Sequence, residues 1–116
     1  MTKQTKGAAV VRLESRLEKQ AKEKFVLRLY IAGTTPRSSR AVANIKQICE
    51  HNLNGRYDLE VIDIYQNPAL AKGEQIVAAP TLVKKLPLPL RRFIGDLSDT
   101  ERVILGMEIA PAEATS

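Results

Sequence analysis

The chain has 116 residues, 44% hydrophobic and 27% charged, which suits one soluble domain with a modest core and excludes a disordered polyelectrolyte. One cysteine and one histidine exclude a disulfide framework and leave too few soft ligands for a zinc site. The net charge of +5 is concentrated at one end: residues 1–24 carry seven Lys/Arg against three Glu, and residues 25–116 carry eleven basic against ten acidic side chains.

The lysine-bearing N-terminus has no apolar core of the kind a secretory signal needs, and no apolar run approaches the roughly 20 residues of a membrane span. A cytoplasmic protein with no membrane partner is the expectation. Residues 1–24 read as a basic extension, partly disordered or helical. Val10, Leu13, Leu17 and Ala21 recur at helical spacing, with Glu18 and Lys22 four apart. No aromatic is interleaved with these charges, which argues against single-strand nucleic-acid binding by stacking.

Phe25–Ile31 alternates as a strand, with Phe25, Leu27, Leu29 and Ile31 on one face and Arg28 on the other. The turn Ala32-Gly33-Thr34-Thr35-Pro36 follows. Thr35 is suited to cap a helix and Pro36 to occupy its first position. That helix places Ala41, Val42, Ile45, Ile48 and Cys49 on one side and ends before Gly55. Tyr57–Ile64 reads as a second strand, so the βαβ unit predicts a parallel pair. Asn67-Pro68 repeats the cap-plus-proline signal and opens a short helix to about Gln75.

This is a thioredoxin-type layout without its chemistry. Ala79-Pro80-Thr81-Leu82 is the kind of Pro-Thr that faces the redox turn, yet the turn contains no cysteine. Dithiol exchange needs an attacking and a resolving thiol, and one residue cannot supply both. Cys49, on the apolar helix face, reads as a small hydrophobe. His51 has no nucleophile or paired carboxylate at a diagnostic spacing. Asp63, at the end of a strand, could orient the Asn67 turn.

Beyond Val77–Val83, a strand interrupted by Pro80, local signals disagree. Leu86-Pro87-Leu88-Pro89-Leu90 followed by Arg91–Ile94 reads either as a hairpin with an edge strand or as a short helix from Pro89 stopped at Gly95. Ser98-Asp99-Thr100-Glu101 has capping-box form, while Val103-Ile104-Leu105 and Ile109 would also suit a buried strand. Disagreement across levels can mark a two-state element.

Leu29–Gly33, Asp63–Pro68, Ala79–Leu82 and Phe93–Asp99 together closely resemble the KaiB family, small partner proteins of cyanobacterial circadian clocks and related bacterial systems. The resemblance spans about Phe25 to Ile109, within a domain set at residues 25–110 and followed by a short tail, 111–116. It implies a binding regulator rather than an enzyme, with no cofactor. It implies a metamorphic α/β protein: a resting homo-oligomer, tetramer or dimer, of order βαββααβ, and a thioredoxin-like βαβαββα monomer that binds the partner. The implied partner is a KaiC-like hexameric P-loop ATPase and autokinase, with further clock-type regulators captured on the complex. The ambiguous segment is the one that refolds in the family, so Pro80, Pro87, Pro89, Gly95 and Asp96 are the expected fold-switch residues. Arg28 and Arg40 match basic positions used near the ATPase interface.

Glu60 and Gln75 stand where clock members usually carry lysine, and the extension of about 24 residues is longer than theirs. Both departures leave room for stress-related signalling. Three rivals remain open: a monothiol enzyme using Cys49, a nucleic-acid binder using the basic extension, and a thioredoxin-like adaptor or sensor that docks a histidine kinase in trans.

Overall fold

The computed structural model describes residues 23–109. The expected N-terminal helix through Val10–Ala21 and the tail 111–116 lie outside them. The unit Lys24–Ile109 runs β1 (Phe25–Ile31), α1 (Pro36–Asn52), β2 (Tyr57–Asp63), α2 (Pro68–Gly73), β3 (Thr81–Leu86), β4 (Arg91–Ile94) and α3 (Thr100–Gly106). This is the βαβαββα order.

Apart from Arg28, β1 is apolar on both faces, which suits it to the centre of the sheet. The strand order is β2-β1-β3-β4. β2 lies parallel to β1, with Arg28 opposite Glu60, and β3 runs antiparallel to it, with Arg28 opposite Val83. One extra residue, Lys85, is accommodated between the Leu27–Lys84 and Val26–Leu86 pairs, a bulge that bends the end of β3. β4 closes the sheet as an edge strand, with Arg91 and Arg92 among its exposed residues.

Phe25, Leu27 and Leu29 meet Leu82 of β3 on the larger face of the sheet. Ala41, Ile45, Ile48 and Cys49 of α1, with Val103 of α3, complete that core. The opposite face is smaller: Tyr30, Ile62 and Val83 pack with Ala71 of α2. Lys84 is buried on the larger face, where its Nζ donates to the Met107 carbonyl at 3.2 Å and lies 6.0 Å from the centre of the Phe25 ring. That bond ties β3 to the chain just after α3, where a cation also suits the helix C-terminus.

The N-terminal half forms as its sequence predicts. Thr35 caps α1, its Oγ1 accepting from the Ser38 N–H at 3.2 Å, and Pro36 opens the helix. Asp63 does organise the next turn: its Oδ1 accepts from Tyr65 N–H at 2.9 Å, and its carbonyl accepts from Gln66 and Asn67. Asn67, however, does not cap α2 with its side chain, because the Nδ2 donates back to the Asp63 carbonyl. α2 stops at Gly73 rather than Gln75, which adopts a positive φ of 58°.

The second half requires two corrections and decides one open reading. The strand expected over Val77–Val83 begins only at Thr81, because Pro80 has no N–H to give a ladder, and Val77 is 92% exposed. Of the two readings for residues 86–95, the hairpin is the one formed. Thr81–Lys84 pair with Arg91–Ile94, which leaves no helix from Pro89 to Gly95. The capping residue of α3 is Asp99 rather than Ser98, its Oδ1 accepting from Arg102 N–H at 3.3 Å. The peptide bonds Ala79–Pro80, Leu86–Pro87 and Leu88–Pro89 are cis.

Candidate functional site

The connection from β4 to α3 combines two positive-φ residues with side-chain contacts to α1. The Gly95 N–H donates to the Pro80 carbonyl at 3.0 Å, extending the β3–β4 ladder by one bond. Gly95 has φ of +119°, a region that side-chain-bearing residues rarely enter. Leu97 also has a positive φ, 63°, which costs a non-glycine residue about 1–2 kcal/mol. Its side chain is only 5% exposed and joins the larger core, a burial worth about 2 kcal/mol. The core therefore holds the turn in a conformation the local backbone does not favour.

Asp96, between these two residues, is bound from three sides. Its Oδ1 accepts from the Ser98 N–H at 3.0 Å, its Oδ2 lies 3.3 Å from Arg40 Nε, and its carbonyl accepts from Asn44 Nδ2 at 2.7 Å. The hydrogen bonds from Ser98, side chain first and then backbone, and then Arg40 hold its carboxyl below the usual aspartate range. Arg40 and Asn44 both project from α1, so this turn is fastened to the helix that follows the first strand.

The expected site residues thus fall into separate groups. Arg40, Pro80, Gly95 and Asp96 converge on one end of the sheet. Pro87 and Pro89 lie in the β3–β4 loop at the other end of that hairpin. Arg28 is apart from both, on the face of the sheet that carries α2. Its Nε lies 3.4 Å from Glu60 Oε1, so the glutamate that reverses the family's expected charge is its ion-pair partner.

A second charged cluster, joined by residues remote in sequence, lies on that same face. Glu74, at the end of α2, receives Lys85 Nζ at 2.6 Å and lies 4.0 Å from Arg92. The Lys85 hydrogen bond is the main reason its carboxyl titrates below the usual glutamate range. Gln75 gives its carbonyl to Arg92 at 3.4 Å. The bulge at Lys85 is what brings that amine over the sheet, and no local sequence signal announces it.

Cys49 is fully buried on α1, and burial, assisted by the neighbouring Glu50 charge, pushes its thiol up to about 12. Burial and the raised pKa both disfavour the thiolate that nucleophilic or redox chemistry requires. His51 is exposed near the end of α1. Among the described residues no cluster of three His, Cys, Asp or Glu could hold a metal, and no helix is long and apolar enough to cross a membrane.

Sequence reasoning missed Asn44, whose side chain holds the Asp96 carbonyl. Arg37, Arg40 and Asn44 follow one another at intervals of three and four, which is a helical stripe that the sequence contained. Its target 52 residues beyond Asn44 was not legible without the fold.

Among known proteins, the family model described as the KaiB domain matches residues 28–109. The circadian clock protein KaiB3 of Synechocystis sp. is 50% identical over 88 residues, covering 76% of this chain and 86% of that protein. The circadian clock oscillator protein KaiB of Nostoc sp. is 49% identical over 96 residues, covering 83% and 89%. This chain belongs to the KaiB family. Among solved structures, the N-terminal domain of Synechococcus elongatus SasA is similar with a TM-score of 0.60 and 28% identity, covering 72% of this chain and 80% of that domain. Chloroplastic thioredoxin z, at a TM-score of 0.60 and 21% identity over 81% of this chain and 88% of its own, shares the fold. This KaiB-family chain is therefore thioredoxin-like in fold.

Proposed function

We propose that the chain is a non-catalytic cytoplasmic regulator that binds a KaiC-like hexameric ATPase and autokinase, in circadian or stress-related signalling. The observation that carries this reading is the half-identity to circadian clock KaiB proteins over most of their length and most of this chain. The cysteine-free turn and the inert Cys49 support a binding role over thiol chemistry.

In this reading the βαβαββα arrangement is the partner-binding form, and a resting oligomer of order βαββααβ stores the chain when no partner is present. A rare binding-competent form lowers apparent affinity in proportion to its population, and partner binding draws the equilibrium toward it. Oligomerisation opposes that shift by mass action. The Gly95–Leu97 turn supports its proposed part in switching, because two departures from ordinary backbone, on either side of Asp96, are held there by tertiary contacts.

The test is to mix the full chain with the KaiC homologue of the same genome, with ATP, and follow the products by native mass spectrometry. A hexameric ring that gains single copies of this chain over hours, as the free oligomer declines, is the expected result. No complex in any nucleotide state would remove the reading.

A second reading has one observation of its own. The likeness to the SasA N-terminal domain favours a thioredoxin-like adaptor that docks a histidine kinase in trans.

A further inference from the structure

A cleft of about 490 Å³ opens beside the Gly95–Asp99 connection, with Arg37 of α1, Arg92 and Phe93 of β4, and Arg102 of α3 in its walls. Two carboxylates also line it, and both are engaged. Asp96 faces Arg40 and Ser98, and Asp99 accepts from the backbone of Arg102. Arg92 leans toward Glu74 and the Gln75 carbonyl.

Arg37 and Arg102 differ from their neighbours. Neither guanidinium makes an ion pair or hydrogen bond among the described residues. Arg37 Nη2 would lie 3.8 Å from a Cβ placed on Gly95, so its charge rests over the turn rather than pointing away from it. Its position in the first turn of α1, where there is no acidic residue, is one where the helix dipole disfavours a cation. Stability therefore does not explain it. The two arginines earlier expected to meet a partner are, by contrast, already paired, Arg28 with Glu60 and Arg40 with Asp96.

The geometry points to this cleft as the docking surface for an acidic segment of the protein partner, with Arg37 and Arg102 making the charged contacts. Arg40 is then a positioning residue that holds Asp96 and keeps the cleft in shape. The inference rests on the reading that the chain binds a protein partner. Phe93, and Ile94 at 68% exposure, give the cleft apolar walls that suit a peptide segment better than a small ion. Its walls come from α1, β4 and α3, so the site is assembled only when β4 and α3 pack as they do here. Binding of this kind would report the arrangement of the C-terminal half.

The test uses the full chain with its arginine Nε–Hε signals observed by NMR, titrated with hexaglutamate, hexaglutamine and inorganic phosphate at matched ionic strength. Hexaglutamate should shift Arg37 and Arg102 while leaving Arg28 unmoved, and hexaglutamine should shift neither. In parallel, the reversal R37E/R102E should slow association with the KaiC-like ATPase about tenfold or more at low salt, while R37K/R102K retains most of the rate. Backbone spectra verify that both variants are folded. Unmoved arginine signals, an equal response to phosphate, or wild-type association by R37E/R102E would overturn the inference. If the ATPase fails to bind the native chain but hexaglutamate still shifts both arginines, the cleft stands and the identity of the partner falls.

Discussion

Arg40 and Asp96 are 56 positions apart in the chain, yet Nε of the first lies 3.3 Å from Oδ2 of the second. The contact fastens the turn after β4 to α1, so a short-range ion pair reports a long-range packing decision.

The pair makes a graded prediction about the titration of Asp96. Ser98 contributes most to lowering that pKa and Arg40 contributes less. In Arg40→Ala the carboxyl should titrate higher than in the native chain but still below an ordinary aspartate. Ser98→Ala, which removes the hydroxyl and keeps the N–H, should raise it more. NMR titration of the Asp96 side chain in the βαβαββα form checks the order, and an unchanged value in both variants would contradict the contact set. Because the folded pKa is depressed, the stabilisation from Asp96 is present above the unfolded pKa. It is lost as pH falls through the folded value.

How far the sequence reached follows from the range of its signals. β1 and α1 were legible because Phe25–Ile31 alternates and Thr35-Pro36 marks a helix start, both properties of adjacent residues. The hairpin was only one of two readings, since Pro87 and Pro89 fit either a loop or a helix entrance. Pairing of Arg91–Ile94 with Thr81–Lys84 decided between them, and that is a tertiary fact. At the candidate site, Arg40, Gly95 and Asp96 were named through family resemblance. Their juxtaposition, and the roles of Arg37, Asn44 and Arg102, depend on α1 lying beside a turn remote in sequence.

Gly106 is a packing determinant of this arrangement. A Cβ there would lie 2.9 Å from Phe93 Cζ and closer still to Cε2. Gly106 is the last helical residue, so Gly106→Ala gains less than the about 1 kcal/mol of helix propensity of an interior site. It must also displace the ring that joins β4 to α3, an overpacking cost of about 1–3 kcal/mol. A net loss of roughly 1 kcal/mol is expected in urea unfolding, with recovery in Gly106→Ala/Phe93→Leu. A more stable single variant would contradict the contact.

Glu74 ties the end of α2 to the β3 bulge through Lys85. Its side chain is 13% exposed, so Glu74→Gln should cost more than a typical surface pair, about 1 kcal/mol or somewhat above. Its depressed pKa gives the same sign as for Asp96: stability falls as pH drops through the folded value. Chemical denaturation between neutral and acidic pH should show a shallower acid dependence in Glu74→Gln than in the native chain.

Cys49 provides a probe of unfolding. With its thiol pushed up to about 12 and its side chain fully buried, iodoacetamide at pH 8 should leave the native chain unmodified and label it rapidly in denaturant. Fast labelling of the folded chain would revive the monothiol reading.

Whether the βαβαββα chain is the form that the ATPase captures from a slowly converting population is decided by one kinetic measurement. The observed binding rate is followed from the resting protein while the concentration of the KaiC-like ATPase is raised. A rate that levels off at a value independent of ATPase concentration is the result expected when conversion precedes binding. A rate that stays proportional to ATPase concentration throughout, in a single phase at ordinary association speed, would contradict it.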